Sequence, residues 1–325
     1  MPPEIIRVSV GTASVLGLVR ARLKVPPTTA YLMGYTEGPC QANCGFCPQS
    51  QASHGDRNRL SRVTWPPYPL NQVLEAFRRV EGGLARICFQ VVRYPGFLED
   101  LLEVLRLLKG STRLPISVDT CPVGREGLER LREAGVDRVS IPLDGATEEV
   151  FNRVKGLDVG GPYRWEETLR ELEDAVGVFG RGRVGTNIIV GLGESEEEAV
   201  RLIWRLHQMG VVPALFAFTP IPGTPLEGHP PPELGAYRRI QLARYLLVNN
   251  LGTLGDVVFQ RGRVAGFRGV GWEAVAATGA PFMTSGCPGC NRPFYNERPS
   301  GPFYNYPRPL TREEAEMELG RLGLR

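Results

Sequence analysis

From about residue 70 two kinds of pattern alternate along the chain. The segments "ARICFQVV" (85–92), "LPISVDT" (114–120), "DRVSIPLD" (137–144), "RVGTNIIVGLG" (183–193), "VPALFAFTP" (212–220) and "GDVVFQ" (255–260) are short and apolar, rich in β-branched or aromatic residues. Runs of this kind predict strands buried on both faces. Between them apolar residues recur at helical spacing: Leu70, Val73, Leu74, Phe77 and Val80, then Leu169, Leu172, Val176 and Phe179, then Ala199, Leu202, Ile203, Leu206 and Met209. Ser195 with Glu198 predicts a capping-box start for the last of these helices. "TTAYLMGYT" (28–36) and "APFMTSG" (280–286) add a strand at either end.

The sum is about eight β/α repeats, and such alternation makes parallel strands joined by crossover helices. A chain of 325 residues suits a TIM-type (β/α)8 barrel, complete or nearly so. A doubly wound open sheet is the alternative. The expected division is an N-terminal helical segment over 1–27, the barrel over 28–285 and a C-terminal extension over 286–325, closed by a charged helix near 311–322.

Composition changes this picture little. A hydrophobic content of 42% supports a soluble core, and a net charge of +3 is too small to argue for nucleic acid. No stretch is long and apolar enough to predict a membrane span. Residues 5–19 faintly resemble a secretion signal, but Arg7 interrupts them and Arg20, Arg22 and Lys24 follow. A signal has its charge before the apolar run. The segment reads as an amphipathic opening helix, and the protein as cytoplasmic, with neither nucleic acid nor membrane as a partner. His54, His207 and His229 are scattered and form no catalytic pattern.

The cysteines carry the chemistry. There are seven, an odd number in a long chain, so metal or redox work is a better reading than disulfides. Cys40, Cys44 and Cys47 crowd into "GPCQANCGFCPQS" (38–50), spaced C-x3-C-x2-C, just past the first predicted strand. Barrel active sites lie at that end of the strands. Thiolates bind zinc or iron–sulfur clusters. A closed zinc site takes four ligands, whereas three on one loop leave one iron of a [4Fe–4S] cluster open.

This loop, with Phe46 just before its last cysteine, resembles the radical S-adenosylmethionine (SAM) superfamily. "PQS" (48–50) and "IIVGLGES" (188–195) resemble its biotin synthase-like branch, and the likeness spans roughly 28–285. The resemblance implies that Cys40, Cys44 and Cys47 hold a [4Fe–4S] cluster whose open iron is chelated by SAM. An electron donor such as ferredoxin or flavodoxin would reduce it, and SAM would yield methionine and a 5′-deoxyadenosyl radical. Phe46 would lie near the adenine. Gly191, Leu192, Gly193 and Glu194 would form the adenosine-binding strand end, where bare backbone meets the ligand; the plainer reading is a strand-to-helix turn. Asp144 would face the ribose; the plainer reading is a turn aspartate. The chain departs from the family after its second strand, where "CFQVVR" replaces Gly-Gly-Glu.

Four cysteines remain. Cys287 and Cys290 form a C-x2-C knuckle, which is half a metal site. By the resemblance, Cys88 matches a cluster ligand of the biotin synthase-like family, while Ser117 and Gly185 stand where the family has two more cysteines. That ligand set is broken. Cys88, Cys121, Cys287 and Cys290 could instead hold an auxiliary [4Fe–4S] cluster; a core thiol, a loop thiol and a zinc knuckle or reducible pair are the alternatives.

"CPGCNRPFYNE" (287–297) and the barrel are similar to the two-component lipoyl synthases. That likeness implies sulfur insertion at C6 or C8 of a protein-bound octanoyl chain, with the auxiliary cluster as sulfur donor. The partners would be an octanoylated lipoyl-carrier protein and a paralogous radical SAM subunit. Arg292, Arg298 and Arg308 are candidate docking groups, or a solvated basic face. Other chemistry of the same branch stays open: biotin formation, carbon-skeleton rearrangement or metal-cofactor maturation.

Overall fold

The computed structural model describes residues 3–80, 82–269 and 271–324. Six of the apolar runs form parallel strands in one sheet: β1 (Thr29–Gly34), β2 (Arg86–Gln90), β3 (Ile116–Asp119), β4 (Val136–Ser140), β5 (Val184–Val190) and β6 (Val211–Ala217). They neighbour one another in chain order, as right-handed crossovers dictate. The helices between them present their apolar stripes to the outer wall. Leu169, Leu172 and Phe179 of helix Trp165–Phe179 and Ala199, Leu202, Ile203 and Leu206 of helix Glu196–Met209 are all buried there. The Ser195–Glu198 capping box is formed.

The architecture is a TIM-type barrel with six parallel staves, and two expected strands lie elsewhere. Residues 255–260 form one arm of a hairpin, Val257–Gln260 against Arg263–Phe267, in a separate two-stranded sheet. Arg261 and Gly262 turn it with φ of 52° and 77°, the left-handed pair that a two-residue hairpin loop needs. Residues 280–286 begin as a 3-10 turn, Ala280–Phe282, and Met283 bridges Tyr306 rather than a stave. Phe282 is apolar because it fills a second core with Leu242, Leu246 and Ala276, not because it lines a strand. The opening segment also differs. Ile5–Val8 is a strand antiparallel to β1 and also pairs with Pro67–Pro69, and only Val10–Val15 is helical. These two short strands extend the sheet beyond β1, and its two ends do not pair with each other.

The open side is covered by a strap, residues 284–297. It satisfies the free edge of β6: the Ser285 hydroxyl accepts the Leu215 N–H (2.8 Å), and the Asn296 amide donates to the Ala217 carbonyl (2.8 Å). It then crosses to β1, where the Asn291 side chain accepts the Thr28 N–H (3.0 Å) and the Tyr31 hydroxyl accepts the Arg292 N–H (2.9 Å). Side chains thus do what a neighbouring strand would do for an edge. Behind the strap, fully buried Arg238 and Glu318 pair at 2.7 Å, and the Tyr306 hydroxyl donates to Glu318 at 2.8 Å. This ties helix Leu234–Val248 to helix Arg312–Arg321 and to the chain that leads out of the strap.

Removing one partner of a buried pair strands the other charge. Glu318→Ala is therefore expected to cost about 3–5 kcal/mol in denaturant unfolding, whereas a loss under about 1 kcal/mol, as for a surface pair, would show that this anchor does not hold the extension.

Candidate functional site

A cavity of about 780 Å³ runs down the barrel, and all seven cysteines line it. None is paired in a disulfide. Two sets of three thiols occupy different levels.

The upper set is the loop after β1. The loop is braced by its own backbone: the Cys40 N–H donates to the Gln49 carbonyl (2.8 Å), Cys47 to Cys44 (3.1 Å) and Gln51 to Ala42 (3.0 Å). Gly45 is bound on both sides, donating to the Val154 carbonyl and accepting from Leu226. A Cβ there would press on Leu226 at 3.2 Å. Two backbone N–H groups, of Ala42 (3.5 Å) and Arg93 (3.3 Å), point at the Cys40 sulfur. Burial pushes the Cys44 thiol up to about 12, against the pull of Lys155, and raises Cys47 further. Loading a metal here must displace protons.

Phe46 packs with Ile189, Leu192 and Phe218 at the ends of β5 and β6. This brings the loop against the 191–194 turn, as expected, but the turn is not bare. The Glu194 carboxylate accepts the Gly191 and Leu192 N–H groups (2.6 and 3.0 Å), and His229 bonds the Gly191 carbonyl (2.8 Å). A Cβ on Gly191, whose φ is 99°, would run into Pro232 at 2.8 Å, and one on Gly193 into Arg153. Gly191, Gly193 and Glu194 thus shape the turn, while Ile189 and Phe218 reach the cavity wall.

Asp144 does line the cavity, in the left-handed region at φ 64°. Its N–H donates to Asn187 and its carbonyl accepts from Ile189, which fixes it on β5. Its carboxylate is paired with Lys155 at 2.7 Å, both side chains being almost wholly buried. Burial works against the ammonium, but Asp144 and the Cys44 sulfur outweigh it and raise the Lys155 pKa. Residue spacing does not single out Lys155, which reaches Asp144 only through the fold.

The lower set is Cys88, Cys287 and Cys290. Cys88 points inward from β2, and the strap carries the other two into the barrel beside it. Burial raises the Cys88 pKa, with Cys287 the next cause, ahead of Asp119 and Cys290. Each sulfur has one polar companion. Gln90 donates its amide to Cys88 (3.1 Å), the Tyr31 hydroxyl lies 3.2 Å from Cys290, and the Ser117 hydroxyl lies 3.7 Å from Cys287. Since the Tyr31 oxygen already accepts the Arg292 N–H, its own proton is free for the sulfur. Tyr31, Cys88 and Ser117 are neighbours in register across β1, β2 and β3.

Cys121 does not join this set. It follows β3 on the upper side, where Arg93 and Cys40 face it and burial pushes it up to about 11. Ser117 is the register neighbour of Cys88, and Cys121 lies four residues further along a strand rising about 3.3 Å per residue. Of the expected docking groups, Arg292 is inside the barrel. Its guanidinium donates to the Ser285 carbonyl (2.8 Å) and lies 3.7 Å over the Phe216 ring. Arg308 is held by Glu314, and Arg298 is exposed.

Between the two sets lies a polar level. Asp119 ends β3, and one oxygen accepts the Asn187 amide at 3.0 Å. Burial pushes this carboxyl up to about 6, against that hydrogen bond. A charge at the C-terminal end of a buried strand is legible in "ISVDT".

Among the described residues no three His, Cys, Asp or Glu side chains close on a single metal ion. Soft thiols in threes, with N–H and O–H groups directed at their sulfurs, fit iron–sulfur chemistry, where such hydrogen bonds tune the cluster.

Sequence comparison agrees with this donor set. The profile of the Radical SAM superfamily matches residues 38–204, about half of the chain. The protein belongs to that superfamily, whose members use a [4Fe–4S] cluster and SAM. Within it the chain is similar to biotin synthases. It is 30% identical over 220 residues to the biotin synthase of Hydrogenobaculum sp. (strain Y04AAS1), covering 64% of this chain and 61% of that one. It is also 30% identical over 230 residues to that of Bordetella avium (strain 197N), covering 66% and 64%. The chain thus spans under two thirds of either relative. The fold is shared with the crystal structure of a methylornithine synthase (TM-score 0.53, 18% identity, 73% of this chain and 66% of that one). It is shared too with a maturase of the [FeFe]-hydrogenase (TM-score 0.55, 14% identity, 69% and 51%).

Lys155→Met should leave Asp144 buried and unpaired, at a cost of about 3–5 kcal/mol. The further change Asp144→Asn should restore much of it in a double-mutant cycle read by urea unfolding; strictly additive losses would mean that the two do not act as a pair.

Proposed function

We propose that this protein is a sulfur-inserting radical SAM enzyme, a component of a two-component lipoyl synthase. It would act at C6 or C8 of an octanoyl chain on a lipoyl-carrier protein. The observation behind this reading is the meeting of Cys88, Cys287 and Cys290 inside the barrel, at a second level of the cavity that the loop triad caps. Cys40, Cys44 and Cys47 would hold the cluster that binds SAM, and Cys88, Cys287 and Cys290 an auxiliary cluster. When bound, these groups would supply a 5′-deoxyadenosyl radical to take a hydrogen atom and sulfide to replace it.

The chain's own residues then have distinct tasks. Met33, Trp65 and Val92 form an apolar wall beside Cys40, and Phe216 and Phe218 face it from β6 and its end. Such walls suit an alkyl chain, which offers no hydrogen bonds. The strap closes the open side of the sheet, so that a carbon radical would be kept from water. Tyr31, Gln90 and Ser117 would steady the lower sulfurs. A paralogous subunit and an electron donor such as ferredoxin or flavodoxin would complete the system. The second reading, biotin-type sulfur insertion, is favoured by the names of the sequence relatives.

Anaerobic reconstitution separates the ligand sets. The wild type and Cys121→Ala should each bind about eight irons, and a Cys287→Ala, Cys290→Ala double variant about four. Supplied with reductant, SAM, the paralogous subunit and octanoylated carrier, the wild type should add sulfur to the octanoyl chain, read by mass spectrometry. About four irons in all three proteins would end the auxiliary-cluster account. Sulfur added only to the desthio precursor of biotin would replace the lipoyl reading with the second one.

A further inference from the structure

Two carboxylates on the cavity wall keep a buried oxygen with no hydrogen-bond partner among the described residues, Glu297 Oε2 and Asp119 Oδ1, and they differ in the charges around them. Asp144 has Lys155 at 2.7 Å. Glu297, buried in the strap and pushed up to about 8 by that burial, faces Arg292 and Arg238. Asp119 has no cation bound to it among the described residues. Asn187 holds one carboxylate oxygen at 3.0 Å, and the other, Oδ1, is buried with no hydrogen-bond partner among the described residues, since the neighbouring Gln90 gives its amide to Cys88. A buried acceptor left unmade costs about 1–3 kcal/mol, and more when charged. Such an atom in a native fold calls for a ligand.

Its place in the barrel says which. Asp119 sits in register beside Gln90 of β2 and Ser140 of β4, at the level between the two thiol sets. Cys88 feels its charge from below, and Asp144 and Lys155 share its field from above. The adenosyl carbon of SAM is bonded to a sulfonium, which carries a full positive charge. That carbon must face the interior, where a hydrogen atom is to be taken. The sulfonium therefore belongs near the level where the wall presents Asp119, a carboxylate with one oxygen unpartnered and no cation bound to it among the described residues.

We propose that Asp119 is the counter-anion for SAM: its carboxylate offsets the sulfonium charge, and its free Oδ1 accepts a hydrogen bond from a hydroxyl or ammonium of the same ligand. Asn187 orients the carboxylate through the other oxygen. This rests on the superfamily's use of SAM and on the level of Asp119 in the barrel, and not on the octanoyl substrate.

The test compares two ligands that chelate iron through the same amino and carboxylate groups. SAM carries the sulfonium; S-adenosylhomocysteine is the neutral thioether. Equilibrium binding of each is measured on the anaerobically reconstituted wild type, Asp119→Asn and Asp119→Ala, with iron content and a melting curve as controls. Asp119→Asn keeps the shape and can still accept from Asn187. It should weaken SAM about tenfold or more, as loss of a charge-assisted hydrogen bond would, and S-adenosylhomocysteine by about threefold or less. Asp119→Ala should do the same and guards against a misfolded amide variant. SAM affinity within about twofold of wild type in either iron-loaded variant would overturn the proposal, as would equal losses for both ligands, which would mark a structural role. The readout is binding alone, so failure of the lipoyl assay would leave this result standing.

Discussion

A parallel sheet of six strands that curls toward a barrel has a free edge to satisfy, and the closure of that edge is what the rest of the site depends on. β6 presents unpaired backbone groups at Leu215 and Ala217. The strap answers them with Ser285, Arg292 and Asn296 side chains. On the far side it ties into Pro26, Thr28 and Tyr31. The strap meets β6 through side chains rather than as a paired strand, and Cys287 and Cys290 line the cavity from it. A seventh and eighth regular strand would have fixed every second residue outward and left no room for such a knuckle.

The interior is then organised by the cost of burying charge. Cation and anion are paired where they are most enclosed, Lys155 with Asp144 on the cavity wall and Arg238 with Glu318 behind the strap. Sulfurs are given hydrogen-bond donors, from backbone N–H groups above and from Tyr31 and Gln90 below. The lower level of the cavity is hidden by a strap whose far end is anchored through Arg238. The same segment thus closes the fold and places Cys287 and Cys290 on the cavity wall.

Much of this was legible in the sequence. Six staves were plain, because strands buried on both faces read as unbroken apolar runs. The cysteine loop was plain because three thiols within eight residues have few uses. The seventh and eighth strands misled for separate reasons. "VVFQ" is a strand, but "RG" after it and "RVAGF" beyond make a hairpin. "APFM" is buried in a satellite core that helix Leu234–Val248 builds. The register places Ser117 opposite Cys88, and Cys121 lies beside Arg93 and Cys40, a placement that residue spacing alone does not give. Partners such as Lys155 for Asp144 and Glu194 for its own turn depend on loop geometry, which residue spacing does not encode. Asp119 was visible as a charge ending a strand; only the fold shows that one of its oxygens has nothing to bind.

The central claim is that two clusters share one barrel, one on the loop and one on the strap. Electron paramagnetic resonance of the reconstituted, fully reduced protein tests it most directly. Two reduced clusters so close should give a broadened, magnetically coupled spectrum, which collapses to a single isolated signal when Cys287 and Cys290 are replaced by alanine. An uncoupled signal of one cluster, the same in both proteins, would contradict the account.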